Sequence, residues 1–349
     1  MRVTFKLHQS AFVLMLSFIL VSCEKMPETQ PEGDDFNIWV LNEGLMMMNN
    51  GSITAYNTLN QEVMADIYSS ANSGKQLGDT PNDILLYGSK VYVAVDMSSQ
   101  IDVIDSKSGV SIKQISVSSP RQLACHDGKV YVCCFDGSVV KIDTAALSIE
   151  VTAKAGRNPD GICVSNNKLY VSNSGGLDWE TGNYDTTVSV FDLHTLNKIK
   201  DIPVRMNPGQ MKTDKNGNVY VISVGNYADV PSCLQRINST TDQVEVLFEE
   251  IAGFDIYDDL LYYYSYDYVN PSYKIFHLLQ NIVTHTNFIS GDNLPTIPYG
   301  LSIHPRTSDV YIFGSVDYTS TGDVYCFDKN GSKKFQFEAG IGPKKAIFK

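Results

Sequence analysis

The sequence predicts an all-β body folded as a seven-bladed β-propeller with four-stranded antiparallel blades. Two short signatures, each occurring seven times, and their spacing predict it. The first is a Pro, or an Ile in one copy, followed three residues later by an apolar residue. It recurs at intervals of 39, 39, 49, 43, 47 and 45 residues, the period expected of a propeller or solenoid. The second is a β-rich run with a central aromatic.

The first signature reads Pro81-Asn-Asp-Ile84, Pro120-Arg-Gln-Leu123, Pro159-Asp-Gly-Ile162, Pro208-Gly-Gln-Met211, Ile251-Ala-Gly-Phe254, Pro298-Tyr-Gly-Leu301 and Pro343-Lys-Lys-Ala346. The second is centred on Trp39, Tyr92, Tyr131, Tyr170, Tyr220, Tyr262 and Tyr311, in runs of residue types that fit a pleated, half-buried surface. A third alternating run follows each, from ITAYN at Ile53 to VYCFD at Val324, and a weaker fourth precedes the next Pro, as in IKQISV before Pro120. A blade of four such strands cannot bury both faces alone, so blades must stack on one another around a ring. The chain opens on a second-strand signature at Trp39 and ends on a first-strand signature at Pro343. One blade is therefore expected to be sewn from both ends, which closes the ring and removes open edges. A solenoid of the same repeats is the rival, and the split terminal repeat argues against it.

The body spans residues 36–349. Residues 1–23 carry Arg2 and Lys6 before an apolar run at 11–21, the layout of an export signal. That run is shorter than the roughly 20 apolar residues a spanning helix needs. It ends in Leu20-Val21-Ser22-Cys23, which resembles a bacterial lipobox and makes Cys23 the expected lipidation site. Residues 24–35, with Pro27, Pro31 and five acids, read as a flexible acidic tether. The whole chain has 27 Lys+Arg against 39 Asp+Glu and a net charge of −12. With no basic cluster, that balance opposes nucleic-acid binding and leaves the lipid as the membrane anchor.

If first strands line the channel, their Pro-bearing starts and the loops between strands two and three share one face, here called the top. The tether then leaves from the bottom. Four successive top loops carry an amide or acid beside a tyrosine: Asn183-Tyr184, Asn226-Tyr227, Asp267-Tyr268 and Asp317-Tyr318. The first is a longer insertion that also holds Asp178 and Trp179, whereas the loops near Asp96 and Asp136 are short. One side of the top is therefore expected to be a raised aromatic and polar wall. Trp179, Tyr184, Tyr227, Tyr268 and Tyr318 offer rigid contact area; Asn173, Asn183 and Asn226 are the candidate amide-binding groups.

Motifs for nucleophilic, phosphate or zinc chemistry are missing: the sequence holds no G-x-S-x-G, H-E-x-x-H, Walker loop or C-x-x-C. His126, His194 and His304 fall at expected bottom turns, and His277 and His285 in or after a third strand, so the top lacks the usual general base. No catalytic residue, cofactor or metal is expected. Asp178, Asp185, Asp229, Asp267 and Asp317 are read as solvated loop acids rather than Ca²⁺ ligands, and Asp214-Lys-Asn-Gly217 as a hairpin turn. Cys125, Cys133, Cys134, Cys163, Cys233 and Cys326 are expected to be mostly reduced, buried thiols.

The phrases WVLNEG, PNDILLYGSKVYV, LYVSNSGG followed by NYDTTVSVFDL, and IPYGLSIHP resemble the YncE-like propeller lipoproteins of Bacteroides-type bacteria, and among them the vitamin B12-capture propellers of the BtuG type. The resemblance runs from Trp39 to the last strand. It implies a non-enzymatic outer-membrane lipoprotein, displayed at the cell surface, that hands a cobamide to a TonB-dependent transporter. Glu24-Lys25-Met26-Pro27-Glu28 is a poor match to the acidic export patch of such proteins, so membrane attachment is read more firmly than outward display. A protein-binding adhesion or assembly propeller is the second reading, and a propeller lyase or hydrolase the third.

Overall fold

Each second-signature aromatic, from Trp39 to Tyr311, is buried. Each lies in the second strand of its own four-stranded sheet, and the computed structural model contains seven such sheets. It describes residues 36–265, 271–289, 294–295 and 297–349. The predicted leader, Cys23 and tether lie outside them, as does the Asp267-Tyr268 pair. The described residues form one compact unit.

Six blades run consecutively from inner to outer strand: blade 1 at 81–116, blade 2 at 120–154, blade 3 at 159–203, blade 4 at 208–249, blade 5 at 253–285 and blade 6 at 297–341. Blade 7 is the split one. Its inner strand Pro343–Phe348 pairs antiparallel with Ile38–Asn42, followed by Ser52–Tyr56 and Val63–Met64, with Trp39 opposite Ile347 and Val40 opposite Ala346.

Seven hydrophobic clusters hold the ring together, one at each blade-to-blade interface. The one that closes it packs Trp39, Leu41 and Ile53 of blade 7 on Ile84, Val91 and Val93 of blade 1. Burying each such side chain stabilises by about 1.5–3 kcal/mol, so no blade is stable without its neighbours. Fourth strands are largely exposed; those of blades 1 and 3 each turn one residue, Ile115 and Ile202, inward. Lys113, Lys154, Lys198 and Lys200 stud these edges, which discourages edge-to-edge pairing.

One helix departs from the strand pattern. Blade 7 has a fourth strand of only two residues, and the helix Ile67–Ala71 follows it. Asp66 caps this helix by accepting the N–H groups of Tyr68 and Ser69 at 3.1 and 3.2 Å. Buried Ile67 and Tyr68 join the closing cluster, and the Tyr68 hydroxyl donates to Asp102 at 2.8 Å. All six body cysteines are free, and all but half-buried Cys125 are buried.

Candidate functional site

The inner strands start irregularly, and the irregularity builds the channel mouth. In blades 1, 2, 3, 4, 6 and 7 the register with the second strand shifts just after the signature Pro. A β-bulge of this kind bends the strand and re-aims the extra residue. The residues after Pro in these blades are Asn82, Arg121, Asp160, Gly209, Tyr299 and Lys344. Glycines let adjacent inner strands close up there: a Cβ on Gly300 would lie 2.1 Å from the Lys344 carbonyl oxygen, and one on Gly161 2.1 Å from that of Gly209.

Charges at the mouth are matched locally. Arg121 Nε donates to Asp160 and Nη1 to Asp96, both at 2.8 Å, and its guanidinium lies 5.0 Å from the Phe135 ring centroid. Burial alone would lower the Arg121 pKa, but Asp160 and Asp96 outweigh it and hold the cation firmly. Glu43, at the end of the second strand of blade 7, accepts the Tyr299 hydroxyl at 2.6 Å and lies 3.5 Å from Lys344 Nζ. Burial pushes its pKa up; Lys344, the Tyr299 hydrogen bond and Arg121 together pull it below the ordinary value. Burial, then the neighbouring Glu43 charge, pushes the Tyr299 phenol up.

Below the mouth, inner-strand side chains surround a cavity of about 460 Å³. Its charges are also paired, Lys345 with Asp83 at 2.6 Å and Lys212 with Asp255 at 2.9 Å. The carboxylates clasp blades together: Asp83 accepts the Leu123 N–H of blade 2 at 2.8 Å, and Asp255 the Ile303 N–H of blade 6 at 3.1 Å. Gln210 donates to the Phe254 carbonyl at 2.8 Å. The inner part of the channel is therefore largely occupied in holding the ring.

A second hollow, about 390 Å³, opens beside the mouth on the top face. Glu43, Asp96, Arg121, Tyr299, Met46 and Met97 line it together with Tyr318. Next to it Met46, Met47 and Met48 are 66, 74 and 62% exposed. The loop that presents them is pinned: Leu45 N–H donates to Asn50 Oδ1 at 2.8 Å, Met48 N–H to the Leu45 carbonyl at 3.0 Å, and Met47 N–H to Asp79 at 3.1 Å.

The expected wall residues divide into exposed and supporting ones. Trp179 and Tyr227 are 65 and 76% exposed, while Tyr184 is only 7% exposed and meets Tyr227 edge-on at 6.3 Å. Tyr318 belongs to the hollow, its ring 6.2 Å from Tyr299. Tyr268 lies outside the described residues. Asn183 is exposed. Asn226 spends its side chain on its own loop, accepting the Ala228 and Val230 N–H groups and donating to Asp229.

Asn173 lies inside its blade. Its side chain is fully buried, donating to Thr187 and Ser189 at 2.9 Å each and accepting the Gly156 N–H at 2.8 Å. Ending a second strand, it faces the third strand rather than the loop. Asn42, which ends the second strand of blade 7, does the same with Ser52 and Thr54, so this amide clamps the blade.

The loop acids are likewise engaged. Asp178 pairs with Arg157, and Asp185 accepts from Thr186 and Thr187. Asp317 accepts the Thr319 and Ser320 N–H groups, which hold its carboxyl down to about 2. Asp214 accepts the Asn216 and Asn218 N–H groups in a turn. Among the described residues no group of three or more His, Cys, Asp or Glu could hold a metal ion.

Sequence reasoning overlooked Glu43, Arg121, Tyr299, Met97 and the three methionines. The signals were the residue after each Pro, charged or aromatic in four blades, and four consecutive apolar residues, Leu45 to Met48, in an otherwise polar top loop.

Comparison with solved structures places the chain among propeller-containing folds. A quinonprotein alcohol dehydrogenase-like protein of Bacteroides thetaiotaomicron is similar with a TM-score of 0.66 at 17% identity, over 90% of this chain and 78% of that one. Kuenenia stuttgartiensis hydrazine synthase gives 0.59 at 16% identity, over 71% and 76%. The computationally designed protein Ika8 gives 0.56 at 13% identity, over 89% and 90%. At these identities the likeness is one of fold. No curated protein sequence matches the chain. Residues 37–246 match the model of a domain of unknown function, DUF5074; the chain belongs to that family.

Proposed function

We propose that this protein is a non-enzymatic, ligand-capturing propeller whose top face is the binding surface. Its ligand is a cobamide, passed on to a TonB-dependent outer-membrane transporter. The observation that carries capture is the concentration of exposed apolar side chains on the top face: Met46, Met47, Met48, Met97, Trp179, Tyr227 and Tyr318 stand around a mouth whose charges are already paired. A contiguous exposed apolar patch marks an interaction surface, and rigid aromatic and thioether surfaces suit a large ligand with a flat apolar face. The family resemblance of the sequence supports the cobamide. Against catalysis, each mouth carboxylate is already engaged by Arg121 or Lys344, and no described histidine lies in a top loop.

Lipid attachment at Cys23 would hold the protein at the outer membrane with its top face away from the bilayer. A protein-binding adhesion or assembly role is the second reading, and the Met46–48 loop favours it, because methionine-rich surfaces accommodate protein partners. The test is titration of the purified chain without residues 1–23 with cyanocobalamin by calorimetry, with gel filtration to read retained red chromophore. Saturable heat and retained colour are expected. Neither heat nor colour rejects the cobamide and leaves the protein-binding reading.

A further inference from the structure

Neither Trp179 nor Tyr227 lines the hollow beside the channel mouth. We infer that it is a distinct subsite for an uncharged molecule carrying a carbonyl or amide acceptor beside an apolar ring. The inference rests on the top face being a small-molecule surface, and not on that molecule being a cobamide.

Size comes first: about 390 Å³ falls within the range of small-molecule sites. Charge then selects the class. Arg121 is flanked by Asp96 and Asp160, and Glu43 stands on the same wall. A ligand carboxylate or phosphate approaching Arg121 would meet these acids at close range, and repulsion there is strong because water is partly excluded. A cationic ligand would compete with Arg121 and Lys344 for carboxylates they already hold. A neutral acceptor meets neither penalty. Of the guanidinium's five N–H groups, the structure commits one on Nε and one on Nη1; among the described residues Nη2 has no hydrogen-bond partner. A carbonyl oxygen can therefore be bound by Arg121 without displacing either carboxylate. The walls complete the class, since Met46, Met97 and Tyr318 supply thioethers and an aromatic ring, groups that pack favourably on an aromatic or other flat apolar body. The bulge after Pro120 and that after Pro298 bring Arg121 and Tyr299 to the same hollow, so the polar floor is positioned by strands rather than by mobile loops.

The experiment uses the chain without residues 1–23, labelled at methionine methyl groups with ¹³C, with Met46 and Met97 assigned by Met46→Leu and Met97→Leu. N-acetyltryptophanamide and its anionic counterpart N-acetyltryptophan are titrated separately. The amide is expected to shift the Met46 and Met97 signals saturably and to bind at least tenfold more tightly than the anion. Tyr318→Ala should weaken the amide at least fivefold, and Leu59→Ala, at an exposed turn between the third and fourth strands of blade 7, should leave it unchanged. No saturable shift of Met46 and Met97, or an anion that binds as well as the amide, overturns the subsite. Binding that Trp179→Ala weakens more than Tyr318→Ala overturns its location. Cyanocobalamin binding without amide binding would remove this subsite and keep capture; the reverse would keep the subsite and remove the cobamide.

Discussion

Asp83 joins three blades through one carboxylate, and its removal should cost more than any surface charge. Its Oδ2 accepts the Leu123 N–H of blade 2 at 2.8 Å, while Oδ1 accepts the Ile84 N–H of its own strand at 2.9 Å and the Lys345 ammonium of blade 7 at 2.6 Å. Asp83→Ala leaves the buried Leu123 N–H without this acceptor, a loss of about 1–3 kcal/mol. Breaking a fully buried ion pair costs about 3–5 kcal/mol. The Lys345 side chain is 30% exposed and can turn toward channel water, so about 1 kcal/mol is the appropriate figure for the pair. Together the expected loss is about 3 kcal/mol. Asp83→Asn retains an acceptor and should lose about 1 kcal/mol. Urea unfolding of the parent, both variants, Lys345→Met and the double variant measures this, with a coupling energy between residues 83 and 345 of about 1 kcal/mol. An Asp83→Ala protein within 0.5 kcal/mol of the parent, roughly the error of additivity, would refute the reasoning. It would mean that the apolar clusters alone close the ring.

Deleting residues 342–349 removes the inner strand of blade 7 and should abolish cooperative unfolding; an unchanged melt would contradict the closure. Tyr184→Ala should destabilise by about 3 kcal/mol because the ring is buried, whereas Trp179→Ala and Tyr227→Ala should stay within about 0.5 kcal/mol in thermal melts. Glu43 has a folded pKa below its ordinary 4.5, so its contribution is complete above that value and is lost as pH falls through the folded pKa. The stability gap between the parent and Glu43→Gln should therefore be flat above about pH 5.5 and narrow on further acidification; a gap that widens in acid would reverse the assignment. On whole cells, antibodies to the Trp179 and Tyr227 loops should bind more readily than antibodies to the turns at Asp127 and Asn216, and the opposite order would place the top toward the membrane.

The ring was legible because the same physical demand recurs in every blade. Trp39 and the six aligned tyrosines fill the same interface position, and the terminal signatures at Trp39 and Pro343 belong to one sheet. The Ile67–Ala71 helix was hidden because its buried pair, Ile67 and Tyr68, is too short for a helical period to stand out; the Asp66 cap was its one clear mark. The exposure of the top-loop residues was legible in part. Trp179 and Tyr227 are on the surface as the loop pattern suggests, but a sequence pattern does not distinguish them from Tyr184, which supports Tyr227 from beneath. The burial of Asn173 was not legible because the end of a strand and the start of a loop look alike until the third strand is placed beside it. Arg121 and Tyr299 escaped because a two-residue strand period predicts alternate faces, and the bulge after Pro breaks that alternation.

The most direct test of the account is hydrogen–deuterium exchange of the chain without residues 1–23, with and without saturating cyanocobalamin. The account predicts slower exchange at the loops holding Met46–48, Met97, Trp179, Tyr227 and Tyr318, with the bottom turns at Asp127-Gly128 and Asp214–Gly217 unchanged. Protection confined to those bottom turns, or no protection anywhere at saturating ligand, would contradict it.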